Sequence, residues 1–326
     1  MNAPTLDDIR DAAARLRGQA IRTPLLENPF LNERAGGRIL LKPENLQLTG
    51  SFKFRGAYNR MSRLTPAELG RGVVAYSSGN HAQAVPAAAA RLGARAVIVM
   101  PADAPAVKAE GARRLGAEVI AYDRWTQKRE EIGAALAAER GSVLIPPYED
   151  PHVIAGQGTC GLEIAEQAAE LGATLDAVLV CTGGGGLTAG IAIAVSGTSP
   201  GTEIWAVEPD AFDDTGRSLR AGERLSNPPE ARSICDALLA PEPGPLTFSI
   251  NSRLLAGGLS VSDAEAAEAM RYAFGTLKLV LEPGGAVTLA AVLTGKLPTA
   301  GRTLAIVCSG GNVDPELFSR VLAGEL

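Results

Sequence analysis

Residues 179–187 read LVCTGGGGL, an apolar run that stops at one threonine and four consecutive glycines. The residues leading into it from Asp176 are strand-forming, and those after it, LTAG and the small apolar residues beyond, read as a helix. A strand that passes through a tight small-residue loop into a helix is the repeating joint of an open α/β sheet. The same joint recurs at VVAYSSGNH (73–81) and at IVCSGGNVDP (306–315). Working outward, further strands are predicted at RILLK (38–42), RAVIVM (95–100), AEVIAY (117–122) and TEIWAV (202–207), with GVVAY (72–76), DAVLVC (176–181) and TLAIVC (303–308) completing the set. Alanine-rich helical stretches separate them, several ending at a glycine suited to a C-cap, as in AVKAEGARRLG and KREEIGAALAAERG. Near-continuous apolar strands alternating with helices predict parallel sheets covered on both faces. Pro86 either kinks its helix or lies in its first turns. Residues 209–250 break the alternation and read as a loop-rich excursion near the site.

At 326 residues the chain exceeds one average domain, and 46% hydrophobic with 21% charged residues is ordinary for a globular protein with a large core. A net charge of −5 gives no basic surface for nucleic acid or anionic lipid. No apolar run approaches the ~18 residues of a membrane span, and the first residues lack a basic-then-apolar leader pattern. Cys160, Cys181, Cys235 and Cys308 are widely separated, which predicts free thiols in a reducing cytoplasm. The two histidines, His81 and His152, exclude a histidine-rich zinc site and are all that a Ser-His-Asp triad could draw on. His152 reads as exposed and structural.

The strand-end loops carry the chemistry. Ligands of doubly wound sheets bind outside the carboxyl ends of the strands. Glycines there let backbone N–H groups approach an anion, and a helix N-terminus adds about 0.3–1 kcal/mol. Gly183, Gly184, Gly185 and Gly186 therefore suit a phosphate. Ser77, Ser78, Gly79 and Asn80 suit a carboxylate, and Ser309 a ring nitrogen. The alternative is ordinary turn and capping chemistry at each loop. Four glycines in a row are not the GxGxxG of a dinucleotide site, and Glu208 ends the next strand at a long spacing, so a nicotinamide-dependent dehydrogenase remains only as a rival.

Lysine usage adds a second signal. The chain holds 25 arginines and 6 lysines, yet Lys53 stands between Phe52 and Phe54 in LQLTGSFKFRGAYN (46–59). Burial can push a lysine from about 10.4 toward ~7–8, where it becomes a nucleophilic amine; a guanidinium stays protonated. A neutral lysine condenses with an aldehyde to a Schiff base. An aldehyde, a phosphate cup and a partner for a ring nitrogen together describe pyridoxal 5′-phosphate.

The motifs KPENLQLTGSFKFRGA, SSGNHAQAV, VIAGQGT, TGGGGLTAG, EPGGAV and SGGNVDP resemble, in order, those of the threonine/serine dehydratases and serine racemases, fold-type II pyridoxal-phosphate enzymes. The resemblance implies a tryptophan synthase β-like α/β fold of two open, twisted, mainly parallel sheets flanked by helices. It implies a large cofactor-binding domain of residues 1–70 and 148–326 and a small domain of 71–147. Lys53 would carry the cofactor and act as base, Phe52 would pack on its ring, Asn80 would bond its 3′ oxygen, and Ser309 its ring nitrogen. Gly183 to Gly186 would hold the phosphate, while Ser77, Ser78, Gly79, Asn80 and His81 would line the substrate carboxylate. His81 is then part of the loop rather than a catalyst. Glu208, the carbonyl of Phe212 and Asp214 match a family site for Mg²⁺ or Ca²⁺, with Phe212 bulkier than the usual residue. Tyr148 stands where relatives carry Phe or Asn.

The activity this implies is loss of water from L-threonine or L-serine, giving a 2-oxo acid and ammonia, in a short catabolic form, as only 316–326 follow Pro315. A cytoplasmic homodimer acting on a small amino acid is the expected setting. Serine racemisation is the close alternative, with Ser78 as the acid on the opposite face. Dehydration of 3-hydroxyaspartate is another, and needs an extra cation, for which Arg55, Arg217 and Arg253 are candidates. A non-catalytic amino-acid-binding protein would have no need of Lys53.

Overall fold

Strand formation follows the apolar runs, and the sheets they build fall into two groups. The computed structural model describes residues 2–104, 106–123 and 125–326. Ten strands lie among them: β1 (Leu26–Glu27), β2 (Arg38–Pro43), β3 (Val73–Tyr76), β4 (Ala96–Pro101), β5 (Ala117–Tyr122), β6 (Val143–Leu144), β7 (Ala177–Cys181), β8 (Glu203–Pro209), β9 (Gly257–Val261) and β10 (Thr303–Cys308). A six-stranded sheet runs β1-β2-β10-β7-β8-β9, and a four-stranded sheet runs β5-β4-β3-β6. Every pairing between these strands is parallel except β1 with β2.

The central strands β2, β7 and β10 alternate between two packed faces, which is why they read as continuously apolar. Ile39, Leu41, Leu179, Ile306 and Cys308 point into one core with helices Asp263–Tyr272 and Pro283–Leu293. Leu40, Val178, Val180, Ala305 and Val307 point into the other, against Pro151–Glu170 and Gly186–Thr198. Val73 and Ile98 face one side of the smaller sheet, Val74 and Val97 the other. The fold is thus α/β with two mainly parallel sheets flanked by helices.

Seven strands were legible. The unread ones have physical reasons. β1 and β6 are two residues each. β9 begins Gly257-Gly258, poor strand formers, but a Cβ on Gly258 would come within 2.5 Å of the Gly216 backbone and one on Gly257 within 2.7 Å of the Trp205 ring. Pro86 lies inside the helix Asn80–Arg91 and is buried, beyond its first turn. Within 209–250 the chain forms the helices Asp214–Ala221 and Pro245–Leu254 and two short 3₁₀ turns. One turn, Asp236–Leu238, covers the glycine loop, because a Cβ on Gly183 would lie 3.0 Å from Leu238 Cα. All four cysteines are free and buried. Among the described residues no helix is long and apolar enough to cross a membrane.

Candidate active site

The carboxyl ends of β3, β7 and β10 open onto one cavity. Its walls include Ser77, Ser78, Gly79, Asn80 and His81 after β3, Gly183 to Gly186 after β7, and Ser309 after β10, with Phe52 and Lys53. The structure therefore assembles every expected cofactor- and carboxylate-binding residue in one place.

Lys53 is the first residue of the helix Lys53–Met61. Its Nζ donates to Pro147 O at 2.9 Å and lies 5.1 Å from the Phe52 ring centroid. Burial lowers its pKa to about 8, against the opposing pull of Glu282. The helix is anchored two residues further on. Arg55 is buried and bonded to Glu44, Glu163, Thr159 and the carbonyl of Ile21, while Lys42 bonds Glu163, Gln167 and the carbonyl of Thr23. That saturation corrects the expectation of Arg55 as a substrate cation. Arg217 is committed to Asp213 and Asn227, and Arg253 bonds Ser249 O. None of the three lines the cavity. Among the described residues the cations that do, besides Lys53, are Arg129 and Lys108, neither singled out in the sequence. Lys108 pairs with Asp236 at 2.5 Å. Arg129 donates from Nε to Glu130, its guanidinium lies 5.7 Å from the Tyr76 ring centroid, and its Nη groups hydrogen-bond no described residue.

The glycine loop is built to present N–H groups. Thr247 Oγ1 donates to Gly184 O at 2.8 Å, and Asn251 Nδ2 lies 3.5 Å from Gly185 O, so the carbonyls are engaged by the helix Pro245–Leu254. Gly185 has φ +84°, and the helix Gly186–Thr198 starts directly after it. A Cβ on Gly184 would sit 2.5 Å from the Tyr148 ring, and on Gly186 2.8 Å from Tyr148 Cβ. The expected residues fit the cofactor: an amine that burial brings close to neutrality, a cradle that any side chain would fill, and Ser309, 3% exposed, lining the same cavity.

His81 Nε2 lies 2.9 Å from Ile145 O, a carbonyl that only accepts, so Nε2 carries the proton. Burial lowers its pKa to about 3, and it is neutral at working pH. His152, expected exposed, is half-buried and outside the cavity. Sequence reasoning also passed over Glu282, although EPGGAV was singled out. Buried among Asn80, Asp236 and Lys53, its carboxyl is pushed up to about 7 by burial and by Asp236. An acid placed immediately before a Pro-Gly-Gly helix start was the available signal.

Glu208 and Asp214 come together away from the cavity. Glu208 accepts the N–H groups of Thr215 and Gly216, and Asp214 Oδ1 accepts from Asn227. Burial and the Asp214 charge push Glu208 up to about 8, and burial pushes Asp214 up to about 6. Asp214 Oδ2 is buried without a partner among the described residues. Phe212 is buried in the adjoining 3₁₀ turn. Among the described residues no three His, Cys, Asp or Glu side chains converge as a ligand set.

Comparison with known proteins gives a consistent picture. The family model described as pyridoxal-phosphate dependent enzyme matches residues 16–309. The chain is 42% identical over 326 residues to L-threo-3-hydroxyaspartate ammonia-lyase of Saccharomyces cerevisiae, covering 100% of this chain and 98% of that one. It is 43% identical over 324 residues to the enzyme of the same name from a Pseudomonas species, covering 99% and 100%. The crystal structure of the T.th. threonine deaminase superposes with a TM-score of 0.89 at 46% identity, covering 95% of this chain and 99% of that one.

Proposed function

The chain belongs to the pyridoxal-phosphate dependent enzymes and is a lyase of that family, and we propose that its substrate is 3-hydroxyaspartate, from which it removes water to leave a 2-oxo acid and ammonia. This raises an alternative reading of the sequence above the first one, which put threonine and serine dehydration ahead of serine racemisation and of 3-hydroxyaspartate. The observation that carries the reversal is Arg129, a guanidinium on the cavity wall whose Nη groups bond no described residue. Serine and threonine bring one carboxylate; 3-hydroxyaspartate brings a second, which a planar guanidinium fork can take in two parallel hydrogen bonds. The two relatives bearing that substrate's name favour the same choice.

In this reading the start of the helix Asn80–Arg91 receives the α-carboxylate, with Ser77, Ser78 and Gly79 supplying donors and the helix dipole its favourable end. Arg129 then fixes the far end, so the α-carbon hydrogen is presented to one amine. Bound pyridoxal phosphate supplies the electron sink for the charge left behind. Lys53 Nζ, close enough to neutral at physiological pH, takes the α-proton. The β-hydroxyl departs as water with the proton that Lys53 took from the α-carbon, and the enamine released from the site hydrolyses to the oxo acid and ammonia. Ser78 lines the cavity as the candidate second acid, which makes a minor racemase activity part of the proposal.

We place a divalent cation, Mg²⁺ or Ca²⁺, at Glu208 and Asp214, since oxygen ligands suit hard cations and Asp214 Oδ2 is otherwise an orphan. The cytoplasm and a homodimer complete the proposed setting, supported by four free buried thiols and by the family resemblance.

The test is a substrate panel. Oxo-acid formation from the threo and erythro isomers of 3-hydroxyaspartate, and from both enantiomers of serine and threonine, is measured with the purified holoenzyme. A kcat/KM for L-threo-3-hydroxyaspartate at least about tenfold above the others is expected. Equal or higher values for serine or threonine would return the assignment to the simpler dehydratases.

A further inference from the structure

A chain of four side-chain and backbone groups runs beside the cavity, and its direction can be read without ambiguity. Thr49, left-handed at φ +64°, turns its carbonyl toward Asn312. A carbonyl only accepts, so the group 2.7 Å from it must be the Nδ2 of Asn312. The same Nδ2 lies 2.7 Å from the Asn80 side chain, which must therefore present its oxygen. Asn80 Nδ2 then points the other way and donates to Glu282 Oε1 at 2.6 Å. Turning the Asn80 amide over would set donor against donor at Asn312, whose own amide the Thr49 carbonyl has already fixed. The Asn312 contact thus decides the orientation whatever the protonation of Glu282.

The accounting leaves one hydrogen. Asn312 spends both Nδ2 hydrogens, on Thr49 and Asn80. Asn80 spends one of its two on Glu282 and lines the cavity with the other unassigned. The chain also explains a glycine in SGGNVDP: a Cβ on Gly310 would come within 2.2 Å of Glu282 Oε1 and 3.2 Å of Asn80 Nδ2. Gly310 O in turn accepts the backbone N–H of Glu282 at 3.1 Å, which fixes where that side chain starts.

We propose that Glu282 and Asn312 are positioning residues that lock the Asn80 amide with one N–H directed at the cofactor, so that Asn80 can serve the ring oxygen only as a donor. The inference rests on the cofactor assignment and not on the choice of amino-acid substrate. Glu282 acts through Asn80 and needs only to accept. The carboxyl serves that purpose whether ionised or protonated, because a protonated acid keeps a carbonyl oxygen.

The requirement for an acceptor, rather than for a charge, supplies the test. Apoproteins of wild type, Glu282→Gln, Glu282→Ala and Asn312→Asp are titrated with pyridoxal phosphate, reading tryptophan quenching for Kd and the visible band for the bound state. No turnover is involved. Glu282→Gln keeps an acceptor and is expected within about threefold of wild type, whereas Glu282→Ala and Asn312→Asp bind about tenfold or more weakly with a displaced band. Asn80→Ala is expected to absorb the effect: Glu282→Ala added to it weakens binding no further. Glu282→Gln as weak as Glu282→Ala would make the charge the cause and overturn the proposal. Asn312→Asp indistinguishable from wild type would overturn it too, as would additive losses in the double variant. Wild-type uptake is measured alongside, so a fault in the cofactor assignment shows in wild type and a fault in the chain shows only in the variants.

Discussion

Lys53 Nζ donates to the carbonyl of Pro147, 94 residues further along the chain. The bond ties the first residue of a helix whose buried side joins the core of the smaller sheet to the segment that follows β6. A carbonyl accepts from an ammonium or an amine alike, so it orients the lysine without protecting its charge. Burial then dominates and takes the pKa to about 8. At pH 7 roughly one amine in ten is neutral, against about one in 2,500 for a free lysine. Only the neutral amine attacks an aldehyde. The rate of pyridoxal phosphate uptake by apoprotein is therefore expected to rise about tenfold per pH unit below 8 and to level off above it. Stopped-flow absorbance across pH 6 to 10 measures this; a rise continuing to pH 10 would mean an ordinary, solvated lysine. Lys53→Ala is expected to bind the cofactor but, after borohydride, to keep none of it covalently attached, whereas a reduced Schiff base stays on the protein as added mass.

How much of this was legible follows from the range of the forces involved. The glycine run, Lys53 between two phenylalanines, and the small polar loops announce themselves because each is a local departure from what a strand or helix uses. Cavity residues from elsewhere gave no such sign. Arg129 sits in KREEIGAALAAERG, an unremarked charged helix start. Lys108 meets Asp236 across 128 residues, and Asn312 meets Asn80 across 232. Such partners are joined by the packing of two sheets and leave no periodicity. Arg55 misled for the converse reason: nothing in FKFRG shows that two distant carboxylates, Glu44 and Glu163, already consume it.

Tyr148 and Gly184 form a contact that allows no side chain on the glycine. Gly184→Ala places a methyl 2.5 Å from the ring, so either the ring or the phosphate loop must move. A loss of cofactor affinity of about 10- to 100-fold, or roughly 1.4–2.7 kcal/mol, is expected. Adding Tyr148→Ala removes the obstruction and is expected to recover most of it. Equilibrium titration with pyridoxal phosphate decides: equal losses in single and double variants would mean that the ring is not what the methyl strikes.

Arg129 is about 40% exposed along its side chain, so water already screens part of its field. Its removal should cost toward the lower end of the 1.5–3 kcal/mol typical of a hydrogen bond to a charged group. Arg129→Gln is therefore expected to lower kcat/KM for 3-hydroxyaspartate by about tenfold, and to leave serine within about twofold. Parallel losses for both substrates would show a structural role and deny Arg129 the distal carboxylate.

Asp214 Oδ2 is the buried oxygen that a cation would satisfy. Chelator is expected to lower the melting temperature of the holoenzyme and Mg²⁺ or Ca²⁺ to restore it. At tenfold over Kd the gain is about 1.4 kcal/mol, a degree or two for a chain of this size. Asp214→Asn is expected to erase the response. An unmodified protein whose melting temperature ignores chelator and both cations would remove the site.

His81 sets a limit on acid stability. Its native pKa is about 3, its unperturbed value 6.5, and burial is the main cause. Between those values the unfolded chain binds a proton that the native protein refuses, so stability is full above pH 6.5 and declines as pH falls. At pH 5 the loss from this one group is about 2 kcal/mol. His81→Gln can still donate to Ile145 O but has no proton to take up. The drop in urea midpoint from pH 8 to pH 5 is therefore expected to be smaller in His81→Gln than in wild type, the remainder belonging to the carboxylates. Identical drops would show that His81 already takes a proton in the native state, and its bond to the Ile145 carbonyl would then be that of an imidazolium.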